Sequence, residues 1–568
     1  MSIVRAAAVV VVLVLAVGPA PAGVVINEIL YHAPDDLDNL QFIELHNTGP
    51  TAVDLSGWKL SKAVTFRFPQ GTKIEPDGYV VVCKDPNLLK KYYGIDALGP
   101  FASTLSHSGD TINLADAKDK KVDVAKYKAQ APWPIAADGY SSSLERICPT
   151  TAGDVPENWA PSPMPTGPPK PGGTPGKKNA NYAARLPPVI TNLRFSPQHA
   201  APDQAIAVEA AVRSGEALRD VELRYRTASS GKESDESTVP MTKVANGRYA
   251  ARIPGQKPNQ IIRFRVHAVD AQGGERFFPS PNDLRPAVSL YVNDRFDVGR
   301  IPFGFIINVG PAERAASAPR GIFGIFAPAQ PAQSTPPARG RSAFVYVDQK
   351  TGEPELFDFI NITPRGGGHK VRFHKDHMLD DMSTLNIIFE GVDRFVLAEP
   401  LAYEVYRKAG NAACRTDFIR TWVDGRPMGY HLLIEQPNKA FLRHNHLKSS
   451  GNLYKCVWYG QGVIGTHEKK THTHTGHGDL VSLVNQLNQT KGDEQWAVIK
   501  RNFDVEQMVN YYAVNMVLSH WDGYFNNYFT YHDVYGTGKW TMYPWDQDKT
   551  WGFHDGIRGY EVFTDMPL

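Results

Sequence analysis

HWDGYFNNYFTYHDVYGTGKWTMYPWDQD, His520–Asp548, is the stretch whose reading decides how the C-terminal part of this chain is built. Asp522 and Asn527 fall in a polar loop. NYFTYHD and KWTMYPW then follow, rich in the aromatic and β-branched residues that favour strands. Tyr535-Gly536-Thr537-Gly538 between them predicts a turn. A hairpin of this kind returns the chain to its start, so Asp546 and Asp548 are expected beside Asp522 and Asn527. Carboxylates gathered this way repel one another unless a cation sits among them, and hard oxygen donors suit Mg²⁺. A surface hairpin with solvated acids is the alternative.

Upstream, Val505, Met508, Val509, Tyr512, Ala513 and Met516 recur at helical spacing, and Asp504 followed by Gln507 reads as a capping box. An amphipathic helix would thus deliver the Asp522 loop. In phosphoryl-transfer enzymes of the protein-kinase type a base Asp precedes a metal-binding Asn by five positions. A hairpin and a second metal-binding Asp come next. Asp522 and Asn527 have that spacing.

The chain opens MSIVRAAAVVVVLVLAVGPAPAG. Arg5, the apolar run Ala6 to Val17 and Ala20-Pro21-Ala22 predict a cleavable leader over 1–22, and hence a secreted, periplasmic or envelope location. A retained anchor is the alternative. No later stretch is apolar enough to span a membrane. The net charge of +2 over 568 residues makes no electrostatic case for nucleic acid, and none is expected as a partner. Length suggests about three or four domains. Cys83 with Cys148, or Cys414 with Cys456, are conceivable disulfides if exported; free buried thiols are equally compatible.

Residues 23–180 read as an all-β unit: VVINEIL, QFIELHN, DGYVVVC and TINLAD are short strand-like runs between turn residues. It closes on PSPMPTGPPKPGGTPGKKN, expected to be a linker or an extended edge. Residues 187–293 alternate apolar and polar in AIAVEAAV, VELRYRT and IIRFRVHAVD, which predicts a second, fibronectin- or immunoglobulin-like sandwich acting as a spacer. Residues 296–568 change character. After an Ala- and Pro-rich loop at 312–341 come strands in SAFVYVD, LFDFINI and KVRFH, a helix over Leu397–Lys408, then DFIRTWVDG and MGYHLLIEQ. The expected fold is therefore multidomain, with two all-β immunoglobulin-like sandwiches followed by an α+β kinase-like domain.

Two resemblances sharpen this. INE at Ile26–Glu28, FIELHN at Phe42–Asn47, DLSGWKL at Asp54–Leu60, SLERI at Ser143–Ile147 and the closing TPGKKN resemble a lamin-tail domain. That implies an immunoglobulin-like sandwich used for attachment to the cell envelope. TPRGGGHKVRF (Thr363–Phe373), VDGRPMGYHLLIEQPNKAFL (Val423–Leu442), HWDGYFNNYF and YPWDQDKTWG (Tyr543–Gly552) resemble the spore-coat protein H (CotH) family of secreted atypical kinases, over Ser342 to Gly552.

The second resemblance implies ATP and Mg²⁺ or Mn²⁺ as cofactors, and an exported protein carrying the acceptor Ser or Thr as partner. Arg365, Gly366, Gly367 and Gly368 would turn over the phosphates, where glycine lets backbone amides approach closely. Lys370 would neutralise phosphate charge, with Glu404 holding it and Lys375 as its alternate. Glu435 would lie near the adenine or pair with a basic neighbour. Asp522 would orient or deprotonate the acceptor, and Asn527 and Asp546 would bind metal, with Asp548 a further ligand or a supporting partner. The family usually continues with more helical structure, so an end at Leu568 suggests a minimal or shortened large lobe. A non-catalytic attachment scaffold with a structural cation is the rival function, and transfer of another nucleotide moiety a third.

One further cluster is unassigned. His467, His472, His474 and His477 in THEKKTHTHTGHG could chelate Zn²⁺ or Ni²⁺, or form a flexible, weakly metal-binding loop.

Overall fold

The computed structural model describes residues 23–165, 171–293, 299–309, 340–365, 368–388, 395–457, 460 and 462–552. The expected leader, nearly all of the Ala- and Pro-rich stretch, and Gly366 and Gly367 lie outside the described residues. No described helix is long and apolar enough to cross a membrane.

In the first unit Val24–Leu30 lies between Phe42–Asn47 and Leu144–Arg146 in a five-stranded sheet. A four-stranded sheet that includes Lys59–Lys62 and Gly109–Ala115 faces it. Ile26, Ile43 and Leu45 share one core with Leu60, Ile112 and Leu114. The register sets Glu28 directly between Glu145 and Glu44, and all three side chains are buried. Buried carboxylates need donors. The Thr174 N–H donates to Glu28 at 2.8 Å and the Asn181 N–H to Glu145 at 2.9 Å, while Asn27 Nδ2 donates to Glu44 at 2.7 Å.

The Pro/Gly-rich closing stretch is therefore not a free linker. Its part from residue 171 onward packs onto the sheet because the acids require its amides. A Cβ at Gly173, whose φ is +109°, would stand 2.6 Å from Glu28 Oε1.

The second unit pairs a four-stranded with a six-stranded sheet around Ile206, Val208, Leu223 and Phe264. It is more than a spacer. Ala228, Ile261 and Tyr291 form one apolar cluster with Ile307, Ala343, Val345 and Val347 of the next unit. Arg263 Nε and Nη2 donate to the two Asp358 oxygens at 2.8 and 2.6 Å, with both side chains buried.

That next unit begins as a closed barrel, where the sequence reading expected an α+β kinase-like domain. Seven strands close into a barrel in the order Phe303–Asn308, Ser342–Val347, Pro354–Arg365, Gly368–Arg372, Thr384–Ile388, Arg426–Glu435, Thr416–Val423. Closure comes from Phe303–Asn308, which the sequence reading did not single out. It pairs antiparallel with Ser342–Val347 and parallel with Thr416–Val423, removing both sheet edges. Phe344, Phe357, Val371, Leu385 and Ile419 fill the interior.

Beyond it, His467–Lys469, Asn452–Cys456, Tyr528–His532 and Trp540–Pro544 form a four-stranded sheet. The helices Phe395–Lys408 and Val505–Leu518 pack against this sheet through Tyr403, Tyr406, Tyr511 and Leu518. Cys83, Cys148, Cys414 and Cys456 are buried and none is in a disulfide, so neither conceivable pairing forms.

The carboxylate row makes the first unit sensitive to alkali. Burial, and then the Glu145 charge, push Glu28 up from its ordinary 4.5 to about 8, and burial raises Glu44 as well. A proton held more tightly by the folded chain stabilises it fully below about pH 4.5, and that contribution is lost as pH rises through about 8. Thermal melts should show the first unit's midpoint falling steadily from pH ~5 to ~9. Glu28→Gln, which keeps an acceptor oxygen without the charge, should flatten that slope; an unchanged slope would refute the raised proton affinity of Glu28.

Candidate functional site

Asp504 caps the helix Val505–Leu518, accepting the Gln507 N–H at 3.2 Å. The helix stops at Ser519 in the left-handed region, and the turn Trp521–Tyr524 carries Asp522. The hairpin register sets the return, with Tyr528 opposite Pro544 and the Trp545 N–H donating to the Asn527 carbonyl at 3.0 Å. Asp546 follows immediately, and the turn Gln547–Lys549 brings Lys549 Nζ to 4.0 Å from Asp522 Oδ2. Both acidic turns therefore lie at one end of the hairpin.

The gathering is looser than a closed cage. Among the described residues, Asp522, Asp546 and Asp548 do not bring ligand atoms within 4.8 Å of one another as a triple. The Lys549 ammonium stands beside Asp522 instead.

Asp522 is buried and accepts Asn527 Nδ2 at 2.8 Å through Oδ2. Asn527, at φ +53°, is thus the amide paired with Asp522, whereas Asn526 donates only its N–H, to the Asp522 carbonyl. Asp522 Oδ1 lies 3.0 Å from His520 Nε2, yet neither atom makes a properly oriented hydrogen bond. Tyr524 Oη, Asn526 Oδ1, Trp545 Nε1 and Gln547 Oε1 are buried and unbonded in the same region. Buried polar atoms are rarely left unpaired, and several together mark a place where a ligand supplies partners. The donor set of Asp522, Asn527, Asp546 and Asp548 is all oxygen, the chemistry that suits Mg²⁺ or Mn²⁺.

The opposite wall is basic. Arg365 ends a barrel strand, donates to Asn386 Oδ1 at 2.7 Å and places its guanidinium 5.9 Å from the centre of the buried Trp545 ring. Lys455 Nζ lies 5.2 Å from the same ring. Lys370 sits opposite Thr363 and Asn386 in the barrel wall, while its neighbour Val371 points into the core. Burial first, then Arg365, Arg372, Lys470 and Lys455, bring the Lys370 ammonium down to about 7. Burial and Arg365 bring Lys455 to about 8, against the pull of Asp546. Cations crowded until one gives up its proton are poised for an anion of high charge.

The other expected residues sit as follows. At Gly368 a Cβ would meet the Ile387 carbonyl oxygen at 1.9 Å, so glycine is required for strand packing there. Glu404 does not hold Lys370: it projects to solvent and pairs with Arg407 at 2.8 Å and Lys408 at 3.4 Å. Its helix instead offers Glu399, whose Oε2 accepts the Gln547 N–H at 3.0 Å, and Tyr403, whose hydroxyl accepts the Asp546 N–H at 3.1 Å. Glu399, Ala402, Tyr403 and Tyr406 recur at positions i, i+3, i+4 and i+7, a buried face legible in the sequence that excludes Glu404.

Glu435 is buried with Arg415 Nε at 3.4 Å and His444 Nδ1 at 3.0 Å, so its carboxylate is committed to basic neighbours. Lys375 pairs with Asp138 of the first sandwich at 2.5 Å and takes no part in this site. Lys455 was missed because NLYKC carries no motif, and only the sheet order brings it to Trp545.

Residues 369–566 match the family model described as CotH kinase protein, and residues 18–129 match that of the Lamin Tail Domain, bearing out both resemblances. The chain is 19% identical over 197 residues to the inner spore coat protein H of Bacillus subtilis (strain 168). That alignment covers 32% of this chain and 54% of the relative, so the chain spans about half the relative's length. Among solved structures, a Listeria monocytogenes EGD-e protein in complex with glucose, magnesium and calcium aligns at 9% identity and a TM-score of 0.14, covering 34% of this chain and 17% of that one. The purple acid phosphatase PPD1 of yellow lupin (Lupinus luteus) aligns at 9% identity and 0.15, covering 47% and 40%. Neither score reaches the level of a shared fold.

The helix contacts give a direct test. Glu399→Ala strands a buried N–H, a loss of about 1–3 kcal/mol, and should lower the melting midpoint by several degrees. Glu404→Ala should leave it unchanged. Equal effects would refute the orientation of this helix.

Proposed function

We propose that this chain, a CotH-type segment behind a lamin tail domain, transfers the γ-phosphate of ATP to a Ser or Thr hydroxyl of a protein exported to the same envelope compartment. The observation that carries the reading is the pair of cations Arg365 and Lys455 flanking Trp545, with Asp546 acting on Lys455 and Lys370 crowded beside them, next to the buried Asp522–Asn527 pair. The layout of the site supports it too: barrel strands stand on one side, helices and an acidic hairpin end on the other.

Lys370 and Arg365 bind phosphate oxygens, and Lys455 adds charge near Asp546. Asn527, Asp546 and Asp548 are the residues that would hold Mg²⁺ or Mn²⁺, which when bound neutralises charge on the phosphate oxygens. Asp522 orients the acceptor hydroxyl and takes its proton. The hydroxyl oxygen forms the new P–O bond, the bond from γ-phosphorus to the bridging oxygen breaks, and ADP leaves. Asn527 holds Asp522 Oδ2, leaving Oδ1 as the acceptor atom. The lamin tail domain attaches the enzyme to the envelope.

Purified protein should melt at higher temperature with millimolar ATP and Mg²⁺ or Mn²⁺. Label should pass from γ-labelled ATP to an acceptor protein. Asp522→Asn should lower that transfer by about 100-fold or more, the usual contribution of a positioned base, and Asp546→Asn and Lys370→Met should also reduce it. No nucleotide-dependent shift would leave an attachment scaffold as the function, and label arriving from the α-phosphate would make this a nucleotidyl transferase.

Because Lys370 loses its proton near about 7, binding a polyanion should draw a proton from the buffer. ATP affinity should fall between pH ~7 and ~9, with calorimetric heats that depend on the buffer's ionisation enthalpy. Lys370→Arg should reduce that dependence, leaving the part due to Lys455, while keeping affinity at pH ~9. A pH-independent affinity would exclude Lys370 from the phosphate site.

A further inference from the structure

Neither the histidine-rich stretch nor the buried Glu399 takes part in the phosphotransfer steps above. The histidines are dispersed. His467 Nε2 lies 3.2 Å from Tyr528 Oη and His477 Nε2 lies 2.7 Å from the His467 carbonyl. His472 and His474 lie 3.7 and 3.5 Å from Asp36 and Asp35 of the first sandwich. Among the described residues, no three of these histidines bring ring nitrogens within 4.8 Å of one another. Glu399 is a different matter.

Its carboxyl, on the helix Phe395–Lys408, is 1% exposed. A carboxyl buried that deeply is unfavourable unless it is hydrogen-bonded. Glu399 Oε2 accepts the Gln547 N–H at 3.0 Å. Gln547 stands between Asp546 and Asp548, in the turn that carries both. Its own side chain is fully buried and donates through Nε2 to the Trp545 carbonyl at 3.0 Å, while its carbonyl accepts Thr550 Oγ1 at 2.7 Å. Residue 547 is thus tied at its amide, its carbonyl and its side chain.

The rest of the turn hangs from the same helix. Tyr403 Oη, four residues on from Glu399, accepts the Asp546 N–H at 3.1 Å, and Trp551 Nε1 donates to the Ala398 carbonyl at 3.0 Å. The Trp551 N–H reaches the other way, to the Leu518 carbonyl at 2.7 Å, where the helix Val505–Leu518 ends ahead of Asp522. The two acidic turns are therefore held in place through two helices.

Asp546 depends on that hold. Its φ of +55° and ψ of +64° lie in the left-handed region, which a residue with a side chain keeps only where its surroundings impose it. A turn that relaxed from this conformation would aim the Asp546 carboxylate elsewhere. Groups that orient metal ligands matter nearly as much as the ligands themselves.

Resting on the phosphotransfer reading, we infer that Glu399 is a positioning residue of its metal site, fixing the spacing and aim of Asp546 and Asp548 by holding the amide between them. The basic side of the site is built independently, with Arg365 and Lys370 on barrel strands and Lys455 on the strand Asn452–Cys456. Loss of Glu399 accordingly weakens the part of nucleotide binding that needs metal and spares the part that does not.

The test titrates full-length protein with a non-hydrolysable ATP analogue by calorimetry, with and without Mn²⁺, well below the melting midpoint of every variant. Wild type should bind more tightly with Mn²⁺. Glu399→Ala should lose about 10-fold or more of that gain and keep its metal-free affinity. Glu399→Gln, which retains an acceptor oxygen, should restore the gain, and Glu404→Ala should match wild type. A gain undiminished in Glu399→Ala, a parallel loss with and without Mn²⁺, or a Glu399→Gln that behaves like Glu399→Ala would overturn the positioning role alone. A wild type whose nucleotide affinity is indifferent to Mn²⁺ would instead remove the metal site of the phosphotransfer reading, and this role with it. Should Glu399→Ala not fold, hydrogen exchange of the wild type decides: Mn²⁺ with the analogue should slow exchange in 546–551 and in 395–408 together, and protection confined to the turn would overturn the link.

Discussion

Register in one short hairpin governs the C-terminal site. With Tyr528 opposite Pro544 and Trp545 bonded back to Asn527, Asp546 emerges at the same level as the Asp522 turn. Side chains alternate faces along a strand, so a slip by one residue would exchange the buried Trp545 with its neighbour Asp546. Apolar burial prevents that slip. Phe529, Met542, Tyr543 and Trp545 lie in the same core as Tyr403 and Tyr511.

The barrel supplies a counterpart that does not depend on flexible loops. Arg365 and Lys370 stand on adjacent strands that pair through Thr363 and Lys370, so their spacing is a property of the sheet. Closure by Phe303–Asn308 ties both ends of that sheet and removes an edge that could otherwise recruit another strand. Trp545 is where the two halves meet, one aromatic face flanked by a cation from the barrel wall and another from the sheet beyond it. The crowding of charge there is tolerable because burial and mutual repulsion let Lys370 shed its proton.

Local signals were readable and long-range ones were not. The capped helix after Asp504, the aromatic strands Tyr528–His532 and Trp540–Pro544, and the alternating strands of the second sandwich all rest on periodicity and turn chemistry. Lys455 could not be found that way, since its neighbours in space come from three separate stretches of chain. Glu399 could have been preferred to Glu404 from the helical spacing of its apolar partners. The closing Pro/Gly stretch misled because its composition describes a linker, whereas its conformation is dictated by acids more than a hundred residues earlier. Barrel closure was hidden for a similar reason: FGFIIN is short, and parallel pairing leaves no turn signal in the sequence.

The apolar seam roofed by the second sandwich limits how this chain can be divided. Ile307, Val345 and Val347 owe their dryness to Ala228, Ile261 and Tyr291. Asp358 owes its neutralisation to Arg263, and orphaning one member of so buried a pair costs about 3–5 kcal/mol. A piece cut just ahead of the barrel would start out with a greasy strip facing water and an uncompensated acid beside it. Any piece carrying the barrel therefore has to keep the middle sandwich, which begins with the strand Val189–Ser196.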